Sequence, residues 1–279
     1  MLVGLWLIAG GTAAGFFGSL LGLGGGTLIV PLLTLVFDLP LLTAVGVSLV
    51  CVIVTSGASA GVFLERHVAN LRLGMTLELF TATGALVGGL VAFLLPEQAL
   101  QILFAVLLIY TSVTMALRGR GAGAGSTEAH GGPEEETLVE EPGDDQFFDA
   151  NLSGPTYRVR QIPLGAAGSV GAGVVSALLG IGGGLVKVPV MNIVMGVPLR
   201  VATATSNLMM GITASAGAII YLSRGLIDPY VASPTALGVF VGASLGSRVA
   251  HRIDVRILRG LFIAILLYTA FQMLLRAFT

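Results

Sequence analysis

A glycine cluster interrupts a long apolar stretch near the start of the chain, and the same cluster returns in the second half. The two copies are Gly22–Gly26, with the sequence GLGGG, and Gly180–Gly184, with the sequence GIGGG. A proline follows each cluster at the same distance, Pro31 in the first copy and Pro189 in the second. Glycine inside a helix costs about 1 kcal/mol relative to alanine. Within a bilayer, broken backbone persists only where protein buries it or where it lines a wet cavity. The doubled break therefore indicates the two halves of one binding site.

Composition places the chain in the membrane class. Hydrophobic residues make up 55% of it and charged residues 10%, and the mean hydropathy is +0.95. A soluble domain carries about 25% charged residues, so the sequence predicts an all-α polytopic membrane protein. Cys51 is the single cysteine, which excludes an internal disulfide and a cysteine-built metal site. No basic stripe indicates nucleic-acid binding, and we expect no metal and no cofactor.

The apolar segments form two sets of five. They are Leu2–Leu21, Thr27–Phe37, Leu41–Leu64, Leu73–Leu95 and Ala99–Leu117, then Ile162–Leu179, Leu185–Val197, Leu199–Leu222, Tyr230–Ala250 and Val255–Phe278. The second segment of each set is too short to cross alone, because helices of these lengths rise only about 16 and 20 Å, roughly half to two thirds of a hydrocarbon core. Each short segment either crosses with its neighbour or forms a re-entrant pair, which predicts about 8–10 spans. The first segment lacks a basic start, so we expect it to remain in the mature protein and not to be a signal peptide.

An acidic stretch separates the two sets. Nine of the fifteen acidic residues fall between positions 128 and 149. Low hydrophobicity with one sign of charge predicts a solvated, flexible linker. We therefore divide the chain into a first transmembrane repeat (1–117), an acidic linker (118–160) and a second transmembrane repeat (161–279). The linker is interpreted as a tether; a regulatory or partner-binding segment is the alternative.

The two sets align without a gap at an offset of 158 positions, and glycines, prolines and an arginine match across the alignment. Such matches indicate a duplicated unit. If each repeat crosses the membrane an odd number of times from an external N-terminus, most arginines face the cytoplasm, including the group between Arg248 and Arg259. Four crossings per repeat would leave that group outside. The sequence therefore predicts inverted repeats with glycine-broken helices, and a cytoplasmic linker.

The glycine clusters are the candidate substrate site. A helix that begins after them has free N–H groups and a partial positive charge at its start, which together bind anions. The residues concerned are Gly24, Gly25, Gly26, Gly182, Gly183 and Gly184. Lys187 adds a full positive charge close to the second cluster, where its counterpart in the first repeat is Ile29. The alternative for Lys187 is that its side chain snorkels to the membrane interface.

Polar residues at the start of the third segment of each set could complete such a site. Ser48, Thr205, Ser206 and Asn207 carry hydroxyl and amide groups that donate to an oxyanion. Hydroxyl groups also serve as ordinary helix-packing residues in membranes. Glu78 stands alone within the fourth segment and is a candidate proton carrier; exposure at the interface is the alternative.

The glycine motifs resemble those of the sulfite exporter TauE/SafE family of membrane permeases. The similar residues are the run from Gly15 to Pro31, the run from Leu178 to Pro189, and Ala202–Ser206, and the resemblance covers both repeats. It implies a transporter of small sulfur-containing anions such as sulfite, thiosulfate or sulfonates, often acting in efflux.

We therefore expect a secondary transporter in the cell membrane that works by alternating access, and not an enzyme. A passive anion channel is the main alternative. A membrane-embedded enzyme or sensor is disfavoured because no catalytic set of side chains stands in facing spans. No phosphate-binding loop of an ATP-driven pump is present either.

Overall fold

Helices form nearly all of the described chain. The computed structural model describes residues 2–20, 25–65, 69–121, 157, 159–249 and 255–278. In chain order its helices are α1 (Leu2–Leu20), α2 (Gly26–Pro31), π1 (Leu32–Val36), α3 (Leu41–Glu65), α4 (Leu71–Ala92), α5 (Glu97–Gly121), α6 (Ile162–Leu179), α7 (Gly184–Pro189), π2 (Val190–Val194), α8 (Leu199–Ser223), α9 (Pro229–Val249) and α10 (Val255–Phe278).

Five of these helices are long and apolar enough to cross a membrane. The spans lie within α3, α4, α5, α6 and α8, and shorter apolar helices accompany them. Large apolar side chains also point outward, among them Leu79 at 68% and Leu94 at 82% exposure. Such a surface suits lipid and not water. The prediction of an all-α polytopic membrane protein is confirmed, whereas the count of 8–10 spans stays a prediction.

Two short helical runs interrupt the long helices at equivalent places. The first run joins α2 to π1, and the second joins α7 to π2. Each begins after a glycine with positive φ, 71° at Gly25 and 77° at Gly183. Each widens into π geometry immediately after a proline, Pro31 or Pro189. Proline removes a backbone donor and crowds the preceding carbonyl, which is a known cause of such a change in helix geometry.

The boundaries of the elements repeat along the chain. α2, π1, α3, α4 and α5 each begin 158 positions before α7, π2, α8, α9 and α10 respectively. The prediction that the chain divides at 117 and 161 stays a prediction. α5 continues past that first boundary to Gly121, and residues 122–156 of the acidic linker lie outside the described residues.

Helices of the first half pack on helices of the second half. α1 packs on α9, and its counterpart α6 packs on α4; α3 meets its own counterpart α8, and α5 meets α10. This reciprocal pattern is that of a two-fold relationship, in which each contact occurs twice. Glycines make the closest contacts possible: a Cβ at Gly11 would lie 2.6 Å from the carbonyl oxygen of Thr235. The helices therefore approach backbone to backbone, as small residues allow in membranes.

The order of the contacts gives the relative directions of paired helices. Gly11 faces Thr235 and Gly15 faces Val239, so α1 and α9 run in the same direction. In contrast, Ser56 of α3 lies against residues 207–211 of α8, while Leu49 of α3 lies against Gly217. The counterpart helices α3 and α8 therefore run in opposite directions. This arrangement favours inverted repeats, which stay a prediction.

Candidate functional site

The two glycine clusters lie in direct contact at the centre of the fold. A Cβ placed on Gly26 would collide with the carbonyl oxygen of Gly180 and would lie 3.0 Å from the Cα of Ile181. All three residues are buried. The single-site hypothesis requires this closeness. Gly24, which the sequence also assigns to the site, lies outside the described residues.

A serine hydroxyl bridges the two clusters. Ser48 of α3 is fully buried, and its Oγ donates to the carbonyl oxygen of Gly180 at 2.7 Å and lies 3.5 Å from that of Gly26. Its hydrogen is therefore used inside the protein. The sequence assigned Ser48 to the substrate, but the contact it makes is a structural one between the halves.

The equivalent serine of the second repeat is different. Ser206 of α8 is also fully buried, yet its Oγ has no hydrogen-bond partner among the described residues. It lies 3.5 Å from the Cβ position of Gly184, where α7 begins. A buried hydroxyl left without a partner costs about 1–3 kcal/mol. A buried hydroxyl of this kind is available to bind a water molecule or a ligand.

Two more buried hydroxyls beside the glycine clusters have no hydrogen-bond partner in the part of the chain that the structure describes. The Cβ of Ser176 in α6 is 3.3 Å from the Cβ position of Gly183, and Thr27 follows Gly26 in the first turn of α2. Both residues are fully buried. Sequence reasoning missed these two, because nothing in their spacing separates them from the hydroxyls that pack helices.

The glycines shape the backbone at the start of α7. Gly182 and Gly183 both have positive φ, 78° and 77°, which side chains of L-residues rarely adopt. Helix α7 then begins at Gly184. The N–H groups of Val186 and Lys187 donate to the carbonyl oxygen of Gly183 at 3.1 and 3.0 Å. Those of Gly184 and Leu185, at the very start of the helix, can donate to a group held in front of it.

Lys187 lies inside the protein and has a carboxylate partner. Its side chain is 1% exposed, and its Nζ donates to Oε2 of Glu78 at 2.9 Å and to Oγ1 of Thr213 at 2.5 Å. Thr213 in turn donates to Oε1 of Glu78 at 2.6 Å. We call Glu78, Lys187 and Thr213 the charged cluster; it joins α4, α7 and α8.

The alternatives that place Lys187 and Glu78 at the membrane interface are both wrong. Lys187 does not snorkel, because it is buried, and Glu78 is only 4% exposed and so does not face the interface. The sequence shows both charged residues, but their pairing could not be predicted from it, because they are far apart along the chain. The only sequence feature that pointed to the pairing is that each residue is a single charge within an apolar segment.

The charged cluster adjoins the second glycine cluster and has no charged counterpart at the first. Cε of Lys187 lies 3.5 Å from the Cβ position of Gly183. At the equivalent positions of the other half stand Ile29, Thr55 and Ala236. The hydroxyl of Thr55 donates to the carbonyl oxygen of Cys51 at 2.8 Å. The candidate site is therefore electrostatically one-sided, although the backbone around it is duplicated.

The remaining predicted residues, Thr205 and Asn207, are also buried. Oγ1 of Thr205 accepts the backbone N–H of Asn70 at 2.9 Å and so holds the start of α4. The carbonyl oxygen of Asn207 accepts from Ser56 at 2.6 Å, which ties α8 to α3. Of the contacts recorded for Thr205, Ser206 and Asn207, that of Ser206 is with the start of α7. The role predicted for the side-chain amide of Asn207 stays a prediction. Among the described residues no group of three or more His, Cys, Asp or Glu side chains is arranged to hold a metal ion.

Comparison with known proteins identifies a family. The model of the family described as Sulfite exporter TauE/SafE matches residues 7–273. The probable membrane transporter protein YunE of Bacillus subtilis is 26% identical over 257 residues, which cover 90% of this chain and 89% of the relative. A probable membrane transporter protein of Methanocaldococcus jannaschii is 27% identical over 277 residues, covering 93% of this chain and 91% of the relative. No solved structure matches the chain.

Proposed function

The chain belongs to the sulfite exporter TauE/SafE family, and on that premise we propose that it is a secondary transporter of a small sulfur-containing oxyanion. Sulfite, thiosulfate and sulfonates are the candidate substrates, and export is the proposed direction. Its place among membrane transporters rests on the family match and on relatives of nearly equal length. The substrate, the direction and the mechanism are proposals.

One arrangement carries this proposal: an unpartnered buried hydroxyl and a buried cation beside the same helix start. Ser206 faces Gly184 without a hydrogen-bond partner among the described residues, and Lys187 lies one turn further along α7. An anion taken from water needs fixed donors in exchange for its hydration. The first-turn N–H groups of α7, the hydroxyl of Ser206 and the ammonium group of Lys187 are donors of that kind.

The first glycine cluster completes the proposed site from the other half of the chain. Gly25 and Gly26 open α2, and the unpartnered hydroxyl of Thr27 follows them. Their contact with Gly180 brings the two clusters together, and we propose that one anion is bound beside both. In this proposal, rocking of the two repeats about their shared contact exposes the anion to one side of the membrane and then to the other.

Apolar groups beside the same glycines suit the end of the substrate that carries no oxygen. The Cβ position of Gly182 lies 2.6 Å from Cγ1 of Val52, and that of Gly184 lies 2.9 Å from Sδ of Met210. A sulfonate or thiosulfate has an oxyanion end and a softer or apolar end. Donors on one side and Val52 with Met210 on the other would bind both ends.

A flux measurement tests the proposal. The purified protein is reconstituted into liposomes and tested with labelled sulfite, thiosulfate, sulfoacetate, taurine and sulfate. A secondary transporter shows counterflow, in which unlabelled anion inside drives accumulation of labelled anion from outside. A passive channel gives flux without counterflow. Absence of flux for every anion would contradict the proposed function.

The two equivalent serines provide a matched pair of variants. Ser206→Ala removes a donor that the proposal assigns to the anion, and a hydrogen bond to a charged group contributes about 1.5–3 kcal/mol. The affinity should therefore fall roughly tenfold to a hundredfold. Ser48→Ala removes a hydrogen bond within the protein, so it should cost about 1 kcal/mol of stability and leave affinity nearly unchanged. Equal effects of the two variants on affinity would contradict the assignment of Ser206.

A further inference from the structure

The buried cation at the proposed site already has an anionic partner. Nζ of Lys187 contacts Oε2 of Glu78 at 2.9 Å, and Thr213 links the two groups by hydrogen bonds to both. The carboxylate oxygens therefore occupy two donors that an oxyanion would use. A transported anion that reaches Lys187 must compete with Glu78.

Among the described residues of the helices that pack around this pair, no other charged residue lies nearer to it than about 9 Å along a helix axis. α6, π2 and the described part of α7 other than Lys187 carry no titratable side chain. Along α4, Arg72 lies about 9 Å from Glu78 by helix rise, and along α8, Arg200 lies about 20 Å and Tyr221 about 12 Å from Thr213. The hydroxyl of Tyr221 donates to the carbonyl oxygen of Ala177. The local charge is therefore set by one lysine and one glutamate.

From this pairing we infer that Glu78 is the resident anion of the site, and that a monovalent anion takes its place at Lys187 only as Glu78 accepts one proton. This inference rests on the proposed function and specifies it further. It narrows the candidate substrates to monoanions, such as a sulfonate or hydrogen sulfite, and so disfavours thiosulfate, which is a dianion; it sets the coupling at one proton for each anion.

The charges balance in each state. In the empty site, the ammonium of Lys187 and the carboxylate of Glu78 sum to zero. A proton from water on the same side of the membrane then neutralises Glu78, which leaves one positive charge, and the bound monoanion restores zero. Release of the anion and the proton on the other side returns the site to the ion pair. Both loaded and empty sites are therefore neutral while they lie within the bilayer.

The same balance discriminates against dianions and against anion binding without a proton. Either case would leave one uncompensated negative charge in a buried site, which is strongly unfavourable. The residue equivalent to Lys187 is Ile29, and the residue equivalent to Glu78 is Ala236. The equivalent positions therefore supply no second cation. The protonated carboxyl of Glu78 keeps a hydrogen-bond donor and an acceptor, so Thr213 can still bind it.

The experiment measures methanesulfonate binding to the full-length purified protein between pH 5 and pH 9. Methanesulfonate is a monoanion throughout this range, so its own protonation does not affect the result. Above the pH at which Glu78 loses its proton, the affinity should fall about tenfold for each pH unit, the slope for uptake of one proton. In weakly buffered solution, a pH indicator should record one proton taken up for each anion bound.

Two comparisons complete the test. In Glu78→Gln the side chain is always neutral, so affinity should no longer depend on pH and should exceed that of the natural protein about tenfold or more at high pH. Sulfate, a dianion of similar size, should bind at least about tenfold more weakly than methanesulfonate, because of its second charge. If Glu78→Gln does not fold, the proton uptake by the natural protein decides alone.

The outcomes separate the inference from the function on which it rests. Binding of methanesulfonate with no proton uptake and no pH dependence would overturn the inference and leave anion transport standing. Sulfate binding as tight as that of methanesulfonate would also overturn it. Absence of binding for both anions, in a protein that gives no sulfite flux, would overturn the proposed function itself.

Discussion

The stability of the ion pair between Lys187 and Glu78 can be dissected with three variants. Lys187→Met removes the ammonium group but keeps much of the apolar stem. The carboxylate of Glu78, 4% exposed, then retains Thr213 as its hydrogen-bond donor in the charged cluster. Removing one partner of a buried ion pair costs about 3–5 kcal/mol, because the other charge is left unpaired.

The double variant Lys187→Met with Glu78→Gln removes both charges. The glutamine keeps an oxygen that can accept from Thr213, and no charge is left in the low-dielectric interior. Replacing a buried pair by neutral groups is often close to neutral. The double variant should therefore recover about 2 kcal/mol or more of the loss caused by Lys187→Met, a coupling within the range measured for residues in contact.

Reversible unfolding in mixed micelles, followed by helical circular dichroism, measures these free energies. The four proteins of the cycle are compared under one detergent composition and one pH. Both single variants should be less stable than the double variant, because each leaves one buried charge unpaired. If the losses of the two single variants simply add in the double variant, the two side chains do not interact as a buried ion pair.

Three further predictions concern the glycines and the linker. Gly173→Ala should cost about 1–3 kcal/mol, because its Cβ would collide with the backbone of α4. Gly171→Ala, with nothing within 4 Å, should be neutral or stabilising in the same unfolding assay, and equal losses would contradict the packing described. Gly183→Val, at a φ of 77°, should abolish flux yet leave membrane insertion intact, while Gly57→Val, in open space, should keep flux; a Gly183→Val protein with full flux would contradict the site. A cysteine placed at Ser126 should react with impermeant reagents from the cytoplasmic side, and reaction from outside alone would refute the predicted topology.

The helices were predictable where local chemistry sets their ends. The sequence predicted a short segment over Thr27–Phe37, and the structure has helix from Gly26 to Val36. Glycines at its start and a proline within it act on the backbone directly, so their effect needs no knowledge of the fold. The same holds for the segment predicted to begin at Leu199, which starts there as α8.

The contacts within the site were not predictable, because they depend on which helices become neighbours. Lys187 and Glu78 are 109 positions apart, and no periodicity links them. Ser48 and Ser206 are equivalent by sequence, yet one donates to Gly180 and the other has no partner among the described residues. Asymmetry of this kind arises from packing.

The central claim, one anion site at the meeting of the two glycine clusters, is tested most directly by locating a bound anion. Selenite is an oxyanion analogous to sulfite, and its selenium gives an anomalous X-ray signal that identifies it in a crystal. We expect one selenium peak beside Gly183 and Gly184, within hydrogen-bond distance of Ser206 and close to Lys187. A peak that contacts neither glycine cluster, in crystals of a protein that transports sulfite, would contradict it.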